Sequence, residues 1–290
     1  MRDFVIMTDS CCEMTAQMAE ELELKVLPLS LLMGEDTYRN WLDGREIGFH
    51  DFYERIRAGA TATTSAISVG DFEEAMRPIL EAGKDILYLG FSSGLSTTYQ
   101  SSAIAADGLR EEFPDAKIYT VDSLAASLGQ GLFVYLCVQQ KRAGKTIDQV
   151  RDYAEEIKLK VCHWFTVDDL NHLKRGGRIS AATALFGTML AIKPVMHVDD
   201  EGHLIPVSKA RGRKASIQAM AKKVAELGAG FDNSVMFISH GDCREDAEYL
   251  AGLLKEQYGV KEVYINYVGA VIGSHSGPGT LALFFLGEHR

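Results

Sequence analysis

Residues 85–103 read DILYLGFSSGLSTTYQSSA, and the fold class follows from the order of their parts. The apolar run DILYLG has the length and character of a buried strand. It runs into a dense hydroxyl cluster, Ser92, Ser93, Ser96, Thr97 and Thr98, and from about Thr98 to Phe113 the pattern turns helical. KIYTVDS (117–123) then reads as the next strand. Strand, short polar loop, helix and strand make a βαβ unit, which implies a parallel sheet.

Working outward, FVIM (4–7) is a short buried strand and TAQMAEELE (15–23) a helix. KVLPLSLLM (25–33) is β-like, with Pro28 marking an edge or a break. FHDFYERIRAG (49–59) and GDFEEAMRPILEAG (70–83) read as helices, the second capped by Asp71 and stopped by Gly83. A long apolar helix covers Ala125–Arg142. The alternation implies a sheet covered on both faces, with no antiparallel signal in this half.

The rhythm changes near Gly144. TIDQVRDYAEEIK (146–158), KASIQAMAKKVAELG (214–228) and REDAEYLAGLLKEQYG (244–259) read as helices; VCHWFTV (161–167), SVMFISH (234–240) and EVYINYV (262–268) read as strands. Residues 192–210 form two strands turning at Asp199–Gly202, an antiparallel hairpin. The chain passes through GAVIGSHSGPG to a last apolar run, TLALFFL. We expect two units: a parallel-sheet α/β domain over 1–150 and a mixed or antiparallel α/β domain over 151–290, with a ligand at the cleft between them.

The 290 residues suffice for that plan. Asp plus Glu number 40 against 30 Lys plus Arg, a net charge of −10 that argues against nucleic acid as a partner. The five cysteines lack Cys-x-x-Cys spacing, so neither a disulfide framework nor a zinc site is expected. The N-terminal MRDFVIMTDS is too short an apolar run for a signal peptide, and no stretch spans a bilayer. The expectation is a cytoplasmic protein with no metal and no cofactor.

In open parallel sheets ligands bind at the carboxyl ends of the strands. Three strands here end in Thr8-Asp9-Ser10, Ser92-Ser93 and Asp122-Ser123, and Thr61 with Thr63-Thr64-Ser65 precedes the next helix. Each cluster singly fits a cap or turn; their recurrence points to a shared cleft for an anion. HLKRGGRIS (172–180) adds Arg178 beside a double glycine, suited to gripping a carboxylate. IGSHSGPG (272–279) adds His275, and KARGRK (209–214) reads as a solvated loop. AATALFGTMLAI (181–192) reads as a core helix or as the lining of an alkyl cavity.

TDS, TTSAIS, SSGLSTTYQSS, VDS with SLGQG, LKRGGRIS, IKPVMHVDDEG with KARGRKA, and IGSHSGPG, in this order over most of the chain, resemble the DegV family of bacterial proteins. The resemblance implies a two-domain α/β fold that binds a long-chain fatty acid as a non-enzymatic subunit of bacterial fatty acid kinase. A separate ATP-dependent kinase subunit phosphorylates the held carboxylate for phospholipid synthesis, which also allows transient membrane contact. Carried over by motif, the carboxylate contacts are Thr64, Ser93, Arg178 and His275, with Thr63, Ser65, Ser96, Asp9 and Gly277 as neighbours. The family's TSQPS stands here as Thr64-Ser65-Ala66-Ile67-Ser68, and its GLSGTY carries Thr97 in place of Gly. These departures bear on pocket shape more than on the carboxylate site.

Two rival readings remain. Ser96, Asp122 and His240 or His275 follow the chain order of an α/β-hydrolase esterase, although Ser96 fits only half of the elbow motif. A carrier of another carboxylate ligand shares every polar residue named. A self-sufficient kinase is disfavoured, for no G-x-x-x-x-G-K-[ST] loop occurs.

Overall fold

A computed structural model describes residues 2–180 and 192–290 of the chain. The 85–103 stretch folds as read: Asp85–Gly90 is a strand buried at every position and Thr98–Glu112 is a helix. In chain order the first half comprises β1 (Phe4–Asp9), α1 (Ala16–Glu21), β2 (Lys25–Leu27), β3 (Ser30–Met33), β4 (Asp36–Arg39), α2 (Phe49–Arg57), β5 (Ala62–Ser65), α3 (Val69–Glu81), β6 (Asp85–Gly90), α4 (Thr98–Glu112), β7 (Ile118–Asp122) and α5 (Leu128–Arg142). The second half follows with α6 (Ile147–Ile157), β8 (Val161–Thr166), α7 (Asn171–Arg175), β9 (Ile192–Val198), β10 (Leu204–Arg211), α8 (Arg213–Leu227), β11 (Val235–His240), α9 (Arg244–Tyr258), β12 (Glu262–Tyr267), α10 (Ala270–Ser276) and β13 (Leu281–Leu286).

Strands β2-β1-β6-β7 form a four-stranded parallel sheet, and β10-β9-β8-β13-β11-β12 a six-stranded mixed sheet in which only β11 and β12 run parallel among the described residues. Helices α3 and α4 cover one face of the first sheet, and α8 and α9 pack on the second. Between the sheets lies α5, which touches β8, β11 and β13. Its burial on several sides explains its near-continuous apolar sequence, since a helix with apolar residues all round needs partners all round. One apolar core, containing Phe4 and Leu87 from the first sheet and Phe165 and Phe284 from the second, runs through this layer.

Several expectations need correcting. The first half holds a three-stranded antiparallel sheet, β4-β3-β5, beside its parallel one. KVLPLSLLM is two strands in two sheets, because Pro28 cannot donate to a ladder and the chain changes sheet there. Helix α3 is capped by Ser68, not Asp71; Asp71 returns the bond to the Ser68 N–H at 3.1 Å in a capping box. KARGRK is no solvated loop: it completes β10 and opens α8, where Arg213 Nε donates to Asp246 at 2.8 Å. Residues 270–276, left without an element in the sequence, form α10.

The cysteines are free thiols, all buried except the half-buried Cys243. No helix among the described residues is long and apolar enough to cross a membrane.

Candidate functional site

A cavity of about 400 Å³ opens between the two sheets, a size in the range of small-ligand sites. Phe165 on β8, Ala282 and Phe284 on β13, Phe91 after β6 and Val271 on α10 supply apolar wall. Thr64, Ser93, Arg178 and His275, which come from four separate stretches of the chain, all line it, as do Ser65 and Ser96. Three residues expected beside them do not. Thr63 is exposed and alternates on β5 with half-buried Thr64; Ser65, of the same parity as Thr63, reaches the lining only as the last residue of the strand. Gly277, just past α10, is absent from the lining and packs against the His172 ring.

Asp9 is buried below the site, not in it. It accepts from Tyr88 Oη at 2.7 Å, from the N–H groups of Phe91 at 2.9 Å and Cys11 at 3.0 Å, and from Gln130 Nε2 at 3.2 Å. These bonds tie the loop after β6 to β1 and α5. The hydroxyls of that loop divide the same way. Ser92 Oγ donates to Gly202 O at 2.9 Å, clamping the loop to the β9–β10 turn. Gly202 has φ +80, and a Cβ on it would collide with that hydroxyl. Ser93, by contrast, has its backbone N–H held by Asp122 Oδ1 at 3.2 Å and lines the cavity.

Among the polar residues of the opening, Thr64 Oγ1 and His275 Nε2 lie 2.8 Å apart. His275 Nδ1 is buried without a partner among the described residues. Burial, reinforced by the Arg178 charge, pushes this histidine down to about 4, so its ring is neutral near pH 7. With the proton on Nε2 the ring donates to Thr64, and the Thr64 O–H is left for an anion. Arg178 Nε and Nη2 donate to Leu95 O at 3.2 and 3.0 Å, and Nη1 donates to Gly176 O. Those carbonyls fix the guanidinium. Burial lowers its pKa from the ordinary arginine value, and no carboxylate lies within ion-pair distance of it among the described residues.

The esterase constellation is not assembled. Ser96 Oγ pairs with Thr98 Oγ1 at 2.9 Å, Asp122 serves the N–H groups of Ser93 and Leu124, and His275 serves Thr64. His240 accepts from the Cys243 N–H at 3.3 Å and packs against Tyr267. The proposed lining helix, residues 181–192, lies outside the described residues but for Ile192, the first residue of β9.

Five polar lining residues were not singled out from the sequence: Ser127, His163, Ser239, Ser276 and Thr280. Ser276 Oγ is buried without a partner among the described residues; the available signals were its place in IGSHSGPG and that of Ser127 in SLGQG. Ser127 and Ser239 connect to Glu13, whose carboxyl accepts the Gly269 N–H at 2.6 Å and pairs with Ser127 Oγ. Burial raises Glu13 from 4.5 to about 8. The folded state therefore holds a proton that the unfolded chain releases, and stability falls as pH rises from about 4.5 through 8. Glu13→Gln should remove this slope. In urea titrations at a series of pH values, its stability relative to the parent should rise steadily from about pH 5 to about pH 9. A constant difference would show that Glu13 does not titrate in that window.

The chain matches the family model described as "Uncharacterised protein, DegV family" over residues 3–288. It is similar to a DegV domain-containing protein of Clostridium perfringens, 45% identical over 290 residues, covering 100% of this chain and 99% of that one. Among solved structures it is similar to a DegV family protein of Thermus thermophilus described by its fatty acid binding, with TM-score 0.87 and 31% identity over 99% of this chain and 100% of that one. A stearic acid-binding protein of Eubacterium ventriosum is similar too, with TM-score 0.86 and 25% identity over 98% of each chain. Matched from end to end in sequence and in fold, with the hydroxyl, arginine and histidine motifs converging on one cavity, the chain belongs to the DegV family.

Proposed function

We propose that this protein is a cytoplasmic carrier that holds a long-chain fatty acid and presents it to a separate ATP-dependent kinase subunit, which converts the carboxylate to an acyl phosphate for phospholipid synthesis. The observation that carries this reading is the half-buried Arg178, a cation with no acidic partner among the described residues, in an otherwise largely apolar cavity. The descriptions of the Thermus and Eubacterium relatives as binders of fatty acids support it.

Burying a carboxylate is costly unless it is paired and hydrogen-bonded. Arg178 supplies charge, Thr64 and Ser93 supply hydroxyl donors, and neutral His275 orients Thr64. The alkyl chain contributes roughly 0.8 kcal/mol per buried CH₂, so the tail provides most of the affinity and the head group sets direction. That Thr64, Ser93, Arg178 and His275 are all half-buried supports a carboxylate held toward the opening, within reach of a kinase. On this reading the carrier itself needs neither a nucleophile nor a cofactor.

The test is mass spectrometry of the purified protein, native and after solvent extraction, followed by assay with a kinase subunit from the same source. A stoichiometric long-chain fatty acid that becomes phosphorylated only when both proteins and ATP are present is the expected result. A different extracted carboxylate would move the assignment to another carrier. An empty protein that takes up no added fatty acid would overturn it.

A further inference from the structure

The cavity has polar groups in its deep part that a carboxylate at the opening does not use. Ser127, preceding α5, and Ser239, on β11, both line it with their hydroxyls 2.7 Å apart. They are 6% and 0% exposed, whereas the four residues of the opening are half-buried, so the serine pair belongs to the inner part. Behind the pair stands the Glu13 carboxyl, 3% exposed, bonded to Ser127 Oγ and the Gly269 N–H, with no cation in ion-pair distance among the described residues. Ser127 has φ 57 and ψ −149, a conformation that costs a residue with a side chain about 1–3 kcal/mol.

Counting hydrogens along this chain shows what it lacks. Near neutral pH Glu13 keeps its proton, because burial holds it at about 8. The carboxyl then donates to Ser127 and Ser127 donates to Ser239, which leaves the Ser239 O–H with no protein acceptor among the described residues. If Glu13 is ionised the bonds reverse, and Ser239 is left as an acceptor. In both states the chain ends in a hydroxyl with unused hydrogen-bonding capacity at the cavity wall. Of the other buried polar side chains of the lining, two are already occupied: His163 Nδ1 donates to Val161 O at 2.8 Å while its Nε2 accepts the Ala126 N–H at 3.3 Å, and Thr280 Oγ1 donates to Gly277 O at 2.8 Å. The third, Ser276, adjoins His275 in the head-group motif.

We propose that Ser239 and Ser127, backed by Glu13, form a subsite for an oxygen function on the acyl chain, so that the cavity takes long-chain fatty acids carrying a hydroxyl remote from the carboxylate. A hydroxyl is both donor and acceptor and so matches the free end of the relay in either state, whereas a methylene leaves Ser239 unsatisfied. This inference rests on the fatty-acid reading above and deepens it.

The experiment compares delipidated protein titrated with stearic acid and with hydroxystearic acids substituted near mid-chain or near the chain end. The parent should bind at least one hydroxy acid as tightly as stearic acid, or more tightly. Ser239→Ala should lower the affinity ratio of that hydroxy acid to stearic acid by up to about tenfold, the size of one hydrogen bond. Ser127→Gly deletes the other hydroxyl while tolerating the positive φ, and should shift the ratio in the same direction even if Ser239→Ala folds poorly. A parent that rejects every hydroxy acid tenfold or more, with ratios unchanged in both variants, overturns the subsite and leaves the fatty-acid reading standing. A folded parent that binds neither stearic acid nor any hydroxy acid overturns that reading, and the subsite with it.

Discussion

Arg178→Ala should weaken long-chain fatty acid binding by roughly two orders of magnitude while the protein stays folded. Removing one partner of a partly desolvated, hydrogen-bonded charge pair costs about 2–5 kcal/mol, and the carboxylate would have no other cation in the cavity lining among the described residues. The fold should survive because, among the described residues, the guanidinium bonds only two backbone carbonyls, Leu95 O and Gly176 O, and makes no ion pair. Titration of delipidated protein with stearic acid measures the affinity, and circular dichroism checks the fold. A change smaller than about threefold in a folded variant would remove Arg178 from the head-group site. Arg178→Lys should recover only part of the affinity, since an ammonium keeps the charge but cannot form the two-pronged contact.

The second large effect is expected at Gly176, which touches no ligand in this reading. A Cβ placed there would collide with His275 Nδ1. Gly176→Ala must therefore move either the ring or the loop that carries Arg178, and both disturb the head-group site. Overpacking of this kind costs about 1–3 kcal/mol, so fatty acid affinity should fall by roughly 5- to 150-fold. Gly177→Ala is the informative neighbour: its Cβ would meet none of the described residues within 4 Å, and its φ of +70 is the source of strain. It should lower thermal stability slightly and change affinity much less. Equal losses of affinity in the two variants would show that loop strain, and not the His275 contact, sets the site.

Local features of this molecule were legible because they depend on neighbours in the chain. The strand DILYLG, the helix after it and the hairpin at Asp199–Gly202 follow from hydrophobic period and turn chemistry alone. Where the reading slipped, a distant contact set the outcome. Strand β5 has only four residues, too few for a period to show, and pairs with β3, where Ser30 faces Ser65 and Met33 faces Ala62. In α10 the run GAVIGSHSG looks like a loop by composition, yet the first turn is pinned from outside, with the Ala270 N–H on Asn40 Oδ1 at 3.1 Å.

The chain's own order of residues also carried the head-group motifs, because each is a compact string with its own turn chemistry. It did not carry their meeting: Thr64 and His275 are 211 positions apart, and only the packing of α10 beside β5 brings them to 2.8 Å. Nor did it separate the hydroxyls that clamp loops, such as Ser92, from those that face the cavity, such as Ser93, since both types favour the same local positions. The deep serines were out of reach for a further reason. Ser127 opens SLGQG at a strained helix entry and Ser239 lies within a strand, and neither string marks its hydroxyl as part of a site. A cavity is space left where two sheets and a helix fail to close, and no single segment encodes a space.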